Sequence, residues 1–220
     1  VAAEMVAKAE PDGHTLLLLS NGSAVSAGLF KSLPYDTVRD FAPVGMLGTF
    51  DLVIVAAAES KFNSLGDLLA YARANPDKLN LGSINIGSTQ HLAAELFKSV
   101  AGIGLQVVPF NGTPAVVTAL RGKQVDAAIE ILGPILPQIQ SGALRALAVT
   151  GERRAGVLPT VPTAAESGLG GFVVSSWNAL AAPAKTPVAV VEQINRALLA
   201  ALADPAVAKR LRELNVEPHP

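Results

Sequence analysis

Apolar positions along this chain follow two alternating patterns. Short, continuous apolar runs alternate with stretches in which apolar residues recur every third or fourth position. The first nine residues read as the end of a helix, with Val1, Met5 and Val6 on one face. Pro11-Asp12-Gly13 is a turn, and residues 15–19 then read as a buried strand ending in the polar loop Ser20-Asn21-Gly22-Ser23. A loop-rich stretch, 34–40, precedes a strand-like run at 52–57. Ser64 with Asp67 three residues on marks a helix start, and that helix should stop before Pro76.

The alternation continues through the middle of the chain. Residues 79–83 form a strand, and 82–89 a loop feeding a helix with Leu92, Leu96 and Val100 on one face. Residues 105–110 form a strand, and Asn111-Gly112-Thr113 caps a helix over 114–121 with proline in its first turn. A strand at 125–129, a short helix at 135–140 and a strand at 144–150 follow. Thr163 to Glu166 starts a short helix ended by Gly168, and 172–181 is a long strand. Thr186-Pro187 opens a helix to about residue 203, and Asp204-Pro205 another to about 214. Strand–helix alternation of this kind predicts an α/β fold with a mostly parallel sheet.

Composition narrows the function. Of the 220 residues, 50% are hydrophobic and 16% charged, enough apolar material for a core and too much for a disordered chain. Net charge is −1 and aromatics are 5%, so neither phosphate contacts nor base stacking is supported, and nucleic acid is not an expected partner. With no cysteine, disulfides, thiolate metal sites and cysteine nucleophiles are excluded. The apolar runs at 52–58 and 197–203 are far shorter than the ~20 residues that span a bilayer. The chain opens on Val1-Ala2-Ala3-Glu4, with no leader-like run, and is expected to begin inside a longer sequence.

In open α/β sheets, ligands sit where strand C-termini meet helix N-termini. Three such junctions stand out: 20–23, 83–89 and 110–113. All are rich in Gly, Ser, Thr and Asn, and none carries Lys or Arg. Helix-start N–H groups and hydroxyls can hold a small carboxylate without a basic side chain. Each loop alone reads more readily as an ordinary cap, and it is the three together, at equivalent strand ends, that point to a binding site. His91 and Glu95 share a helix face, but the chain has only two other histidines, so no metal site and no cofactor is expected. Catalysis by Ser23 or Ser88 in an α/β hydrolase or transferase is the competing reading, although no G-x-S-x-G elbow occurs and neither serine has an assigned base. The lone Trp177, beside Ser175, Ser176 and Asn178, is either core or hinge packing or a pocket wall. Glu152-Arg153-Arg154 reads as a solvated turn.

Several segments taken in order carry a resemblance. They are Glu10-Pro11-Asp12-Gly13-His14-Thr15-Leu16-Leu17; Leu33-Pro34-Tyr35-Asp36 with Asp40-Phe41-Ala42-Pro43-Val44; Gly87-Ser88 with His91-Leu92-Ala93; Val108-Pro109-Phe110; Gln124-Val125-Asp126; Leu144-Arg145-Ala146-Leu147-Ala148-Val149-Thr150; Val161-Pro162-Thr163; and Ser175-Ser176-Trp177. Together they span nearly the whole chain, which resembles the Bug family of periplasmic solute receptors, the binding components of tripartite tricarboxylate transporter systems. The resemblance implies a non-enzymatic, monomeric receptor with a two-lobed, type II Venus-flytrap fold. Such a receptor closes on a small organic carboxylate in an interlobe cleft and delivers it to membrane transporter subunits or a sensor.

On that reading lobe one is 1–52 with 178–220, lobe two is 53–177, and hinge strands lie near 52–56 and 173–180. Family segments at both ends are missing, so lobe one is expected to be incomplete. The ligand-binding residues implied are Asn21 and Ser23 from lobe one, Trp177 on the hinge side, and Ser83, Asn85, Gly87, Ser88, Thr89, Asn111, Gly112, Thr113 and Glu130 from lobe two; no catalytic residue is implied. Four positions depart from the family pattern. Asn85-Ile86 replaces a commoner Gly-Asn, Asn111 stands where Lys or Arg is frequent, Pro114 where Gly is, and Glu130 where Asp or Asn is. A glutamate facing the ligand would repel a second carboxylate or accept from an amine or hydroxyl.

Overall fold

The computed structural model describes residues 2–219. In chain order the elements are α1 (Ala2–Ala7), β1 (Leu17–Ser20), α2 (Asn21–Leu29), β2 (Phe41–Ala57), α3 (Leu65–Ala74), β3 (Asn80–Ile84), α4 (Thr89–Ala101), β4 (Gln106–Phe110), α5 (Thr113–Arg121), β5 (Ala127–Ile131), α6 (Leu132–Gln140), β6 (Leu144–Val149), β7 (Ser175–Pro183), α7 (Val188–Ala203), α8 (Pro205–Glu213) and β8 (Val216–Pro218). They fall into two compact units. Unit 1 is Val1–Thr49 with Ser176–Pro220, and unit 2 is Phe50–Ser175. The sequence had placed the divisions at 52/53 and 177/178. Leu52 instead sits in the unit 2 sheet, and Trp177 belongs to unit 1.

Unit 2 is a five-stranded sheet covered on both faces. Its order is β6-β2-β5-β3-β4. β3 runs parallel to both β4 and β5, whereas β2 is antiparallel to β5 and to β6. The sheet is therefore mixed rather than mostly parallel. Apolar periodicity marks a strand but not the direction of its neighbour, so the error was of orientation and not of element type.

The continuous apolar run in β2 follows from this burial. Leu52, Ile54 and Ala56 face a core shared with Leu65 and Leu68 of α3 and Phe97 of α4. Val53 and Val55 face a second core with Val116 and Leu120 of α5 and Ile135 of α6. A strand buried on both faces loses the polar alternation of a half-exposed one. Phe97 also meets Phe172 edge-to-face, with centroids 5.4 Å apart.

The helix starts are defined by capping chemistry. Ser64 Oγ accepts from Asp67 N, and Asp67 Oδ2 accepts from Ser64 N, closing the expected box at α3. Asp204 Oδ1 accepts from the backbone N–H groups of Ala206 and Val207 at α8. α4 shows a different face from the one expected. Ala93, Ala94 and Phe97 are buried while Leu96 is exposed, because the small alanines allow the helix close to the sheet. The segment after Thr163 is a hydrogen-bonded turn and not a helix, with Thr163 Oγ1 accepting from Glu166 N. Arg154 of the solvated turn pairs with Glu166 at 2.9 Å.

In unit 1, β1 is antiparallel to β7, and both β7 and β8 pair with β2. Asn195 of α7 donates to the Val44 carbonyl at 2.8 Å, tying the helix to β2. The small cluster around β1 consists of Val6, Leu17, Phe41 and Ala181. Several sequence expectations change here. β1 is not a buried strand, since Leu18 is exposed. Of the expected face of α1, Val6 is buried and Met5 exposed, and Val1 lies outside the described residues. The polar stretch after Ser20 is the first turn of α2 rather than a loop.

Candidate functional site

The parallel arrangement of β5, β3 and β4 puts their C-terminal ends on one edge of the unit 2 sheet. Each strand there passes into a helix: β3 into α4, β4 into α5 and β5 directly into α6. The loops singled out in the sequence at 83–89 and 110–113 are two of these three junctions.

The first junction is built around Ser88, the N-cap of α4. Its Oγ accepts from His91 N at 3.1 Å and lies 3.3 Å from the Ile84 carbonyl, to which it donates. Gly87, just before it, has φ +84°, a left-handed conformation that a side chain would strain. Ser88 N closes the turn on the Asn85 carbonyl at 3.0 Å. Ser83 and Thr89 are buried, Gly87 and Ser88 half-buried, and Asn85 and Ile86 exposed. Ser83 Oγ is turned to the Ile84 carbonyl at 3.3 Å.

The second junction is led by Gly112, the N-cap of α5, at φ +89°. Glycine cannot cap with a side chain, so the first turn of α5 takes its polar chemistry from Thr113. Thr113 Oγ1 donates to Glu130 Oε2 at 2.9 Å. Gln90 Nε2, from the first turn of α4, donates to the same oxygen at 3.3 Å. Glu130, near the end of β5, is fully buried. One carboxyl thus joins the starts of two helices and the third strand. Burial pushes its pKa up, opposed by the bonds from Gln90 and Thr113 and, more weakly, by the Ile131 N–H. Its Oε1 has no hydrogen-bond partner.

The structure therefore gathers Ser83, Gly87, Ser88, Thr89, Gly112, Thr113 and Glu130 along one edge of unit 2. Asn85 and Asn111 stand exposed on the same loops. Gln90 was missed by sequence reading. A buried amide in a first helical turn was the available signal. His91 forms its first-turn bond through the backbone, and its Nδ1 is buried without a partner. Among the described residues the Ser88 and Ser23 hydroxyls bond to backbone groups, and no histidine ring is placed against either. Among the described residues no group of His, Asp and Glu could hold a metal.

Asn21, Ser23 and Trp177 belong to unit 1. Asn21 opens α2, and Ser23 Oγ accepts from Ser20 N at 3.5 Å. Trp177 is half-buried on β7, where Ser20 of β1 lies opposite Asn178. Ser23 and Trp177 line one cavity of about 300 Å³ with Leu17, Leu19, Tyr35 and Phe41. Trp177, expected on the hinge side, thus lies in unit 1 at the wall of this cavity.

Among the described residues no helix is long and apolar enough to cross a membrane. The model of the tripartite tricarboxylate transporter family receptor matches residues 1–220. Protein BugT of Bordetella pertussis is 36% identical over 211 residues, covering 95% of this chain and 65% of that protein. A solved structure of Rhodopseudomonas palustris MatC with bound malate is similar with a TM-score of 0.87, at 32% identity over 99% of this chain and 74% of the other. R. palustris Rpa4515 with adipate gives 0.92, at 33% identity over 99% and 73%. The fold is thus the α/β fold of the periplasmic binding proteins. The chain spans 63–65% of the length of the first curated relatives it matches.

Proposed function

The chain belongs to the tripartite tricarboxylate transporter receptor family, and from that premise we propose that it is a non-enzymatic receptor whose unit 2 loops hold a small organic carboxylate. The observation that carries this reading is the Ser88-capped start of α4. It stands beside the Gly112-led start of α5, with no basic side chain on either loop. Helix N-termini concentrate partial positive charge and backbone N–H donors, which suits an anion held by hydrogen bonds alone. Hydrogen bonds to a charged group are worth about 1.5–3 kcal/mol each, so three or four support micromolar binding. The similar proteins solved with malate and adipate are consistent with this ligand class.

Ser23 and Trp177 of unit 1 are proposed as further ligand contacts. A periplasmic location and delivery to a membrane transporter are the proposed setting, with a sensor as the alternative recipient. A thermal-shift screen over mono-, di- and tricarboxylates tests the reading. A ligand at about 1,000 times its Kd adds ~4 kcal/mol of stability, which at this size raises Tm by about 8–16 °C. Ser88→Ala, which removes the side-chain cap that orders the α4 start, should weaken binding of the responding acid about five-fold, with the fold retained. Unchanged affinity in a folded Ser88→Ala protein would remove α4 from the site. No response to any carboxylate would remove the ligand class.

A further inference from the structure

The Thr113–Glu130 bond has a consequence for the polarity that the α5 start offers a ligand. A threonine hydroxyl carries one proton and two lone pairs. Thr113 spends that proton on Glu130 Oε2 at 2.9 Å. An ionised carboxylate only accepts, so with Glu130 ionised the proton of this bond belongs to Thr113, and Gln90 Nε2 donates to the same Oε2. Glu130 is fully buried, whereas Thr113 is half-buried. The polarity of the acid therefore reaches the loop through the threonine.

We infer that Glu130, acting through Thr113, sets the ligand class of the unit 2 loops: Thr113 Oγ1 is left as an acceptor, and the loops prefer a carboxylate carrying a hydroxyl or ammonium group at its far end over a dicarboxylate of the same length. The inference rests on the carboxylate reading above. The α4 start serves the ligand's carboxylate through its first-turn backbone N–H groups, with Ser88 as the cap that orders them. At the α5 start the Thr113 hydroxyl, its proton already committed, serves a donor, while the backbone N–H groups there remain on the carboxylate's side. A second carboxylate there would meet lone pairs on Thr113 and the acid behind them, with no hydroxyl proton to accept. Glu130 is in this sense a positioning residue, and Thr113 the group that touches the ligand. The Glu130 side chain spans from β5 to both helix starts.

The test is a calorimetric comparison of matched acids. Succinate, 4-hydroxybutanoate and 4-aminobutanoate form one set; adipate, 6-hydroxyhexanoate and 6-aminohexanoate form another. The wild-type protein should bind the hydroxy or amino member of a set about ten-fold more tightly than its dicarboxylate, the worth of one hydrogen bond made against one lost. Thr113→Val should bring that ratio close to one, and Thr113→Ser should restore it. Glu130→Met, which frees the hydroxyl proton, should move the ratio toward the dicarboxylate. If Glu130→Met does not fold, the two Thr113 variants decide alone. Equal binding within each set, or preference for the dicarboxylate, by the wild-type protein would overturn the inference and leave the carboxylate reading standing. So would a Thr113→Val protein that loses the same factor for all three acids, since that is what a structural role predicts. Binding of none of the six acids, at either length, would overturn both.

Discussion

The two units use the same kinds of elements and bury them very differently. Unit 2 sets two extensive cores against the two faces of its sheet, and β2 from Leu52 to Ala56 is wholly buried between them. Around β1 in unit 1 the cluster is four residues, α2 buries none, and Leu18, Phe30 and Val38 are all more than half exposed. Buried apolar area is the main stabilising term in folding. The difference teaches where the molecule holds geometry firmly. The Gln90–Glu130–Thr113 constellation stands on the well-packed strand ends, while Ser23 and Trp177 stand on the thinly packed part.

Breaking the better-packed side should have the largest effect. Phe97 is fully buried on α4 and packs on Phe172. Phe97→Ala should cost about 3–5 kcal/mol, read as faster amide exchange in α4 and β3. A loss below ~1 kcal/mol would show that unit 2 is not the rigid half. The sole tryptophan, Trp177, reports on unit 1 and provides a fluorescence signal separate from that exchange.

A smaller effect should appear in the pH dependence. Glu130 and Asp51, both in unit 2, have pKa values raised by burial from ordinary values of 4.5 and 3.8. A carboxyl with a raised folded-state pKa keeps its proton longer in the folded state than in the unfolded one. Stability therefore falls as pH rises above the ordinary value, and levels off once the folded-state group has ionised. Glu130→Gln should flatten that fall in urea denaturation between pH 4 and 8. A slope unchanged from wild type would mean that Glu130 does not carry it. Glu4 and Asp36 in unit 1 have pKa values lowered by their hydrogen-bond partners, so their contribution has the opposite sign and is lost as pH falls. Asp67 and Glu166 of unit 2 are lowered in the same way, so the opposite sign belongs to the buried Glu130 and Asp51 and not to unit 2 as a whole.

Much of unit 2 was legible because its elements announce themselves locally. Ser64 and Asp67 state a helix start in four residues, and the caps at Ser88 and Gly112 follow from short polar motifs after apolar runs. The pairing of β2 between β5 and β6 was not legible, because the partners lie about 75 to 95 residues along the chain and periodicity is silent on direction. The first turn of α2 reads as a loop because Asn21-Gly22-Ser23 is turn chemistry, and the rest of the helix has no buried stripe to betray it. Of the site, the loops and Glu130 were visible. Their connection was not: Gln90 and Thr113 meet on one carboxyl from positions 40 and 17 residues away, through the tertiary fold alone.

Local capping should show a third, lesser effect. Ser64→Ala opens the capping box of α3 and should cost ~1 kcal/mol, with the change confined to amides of that first turn. A cost of several kcal/mol would mean that the α3 start is coupled to the core beneath it through Leu65 and Leu68.

The smallest effect should come from the surface of unit 1. Leu18 sits on β1 between Leu17, which is buried, and Leu19, which lines the unit 1 cavity. Strand alternation turns Leu18 to the opposite face from both, and there it is 56% exposed. Leu18→Thr introduces a β-branched, strand-compatible residue and removes apolar surface that is already in contact with water. Its effect on stability should stay within ±0.5 kcal/mol. Leu17→Thr, one position away and facing the cluster with Phe41, should cost about 2 kcal/mol or more, because it places a hydroxyl among apolar neighbours and loses their packing. Equal and large losses at both positions would show that the outer face of β1 is covered in solution, and would erase the contrast between the two units at this strand.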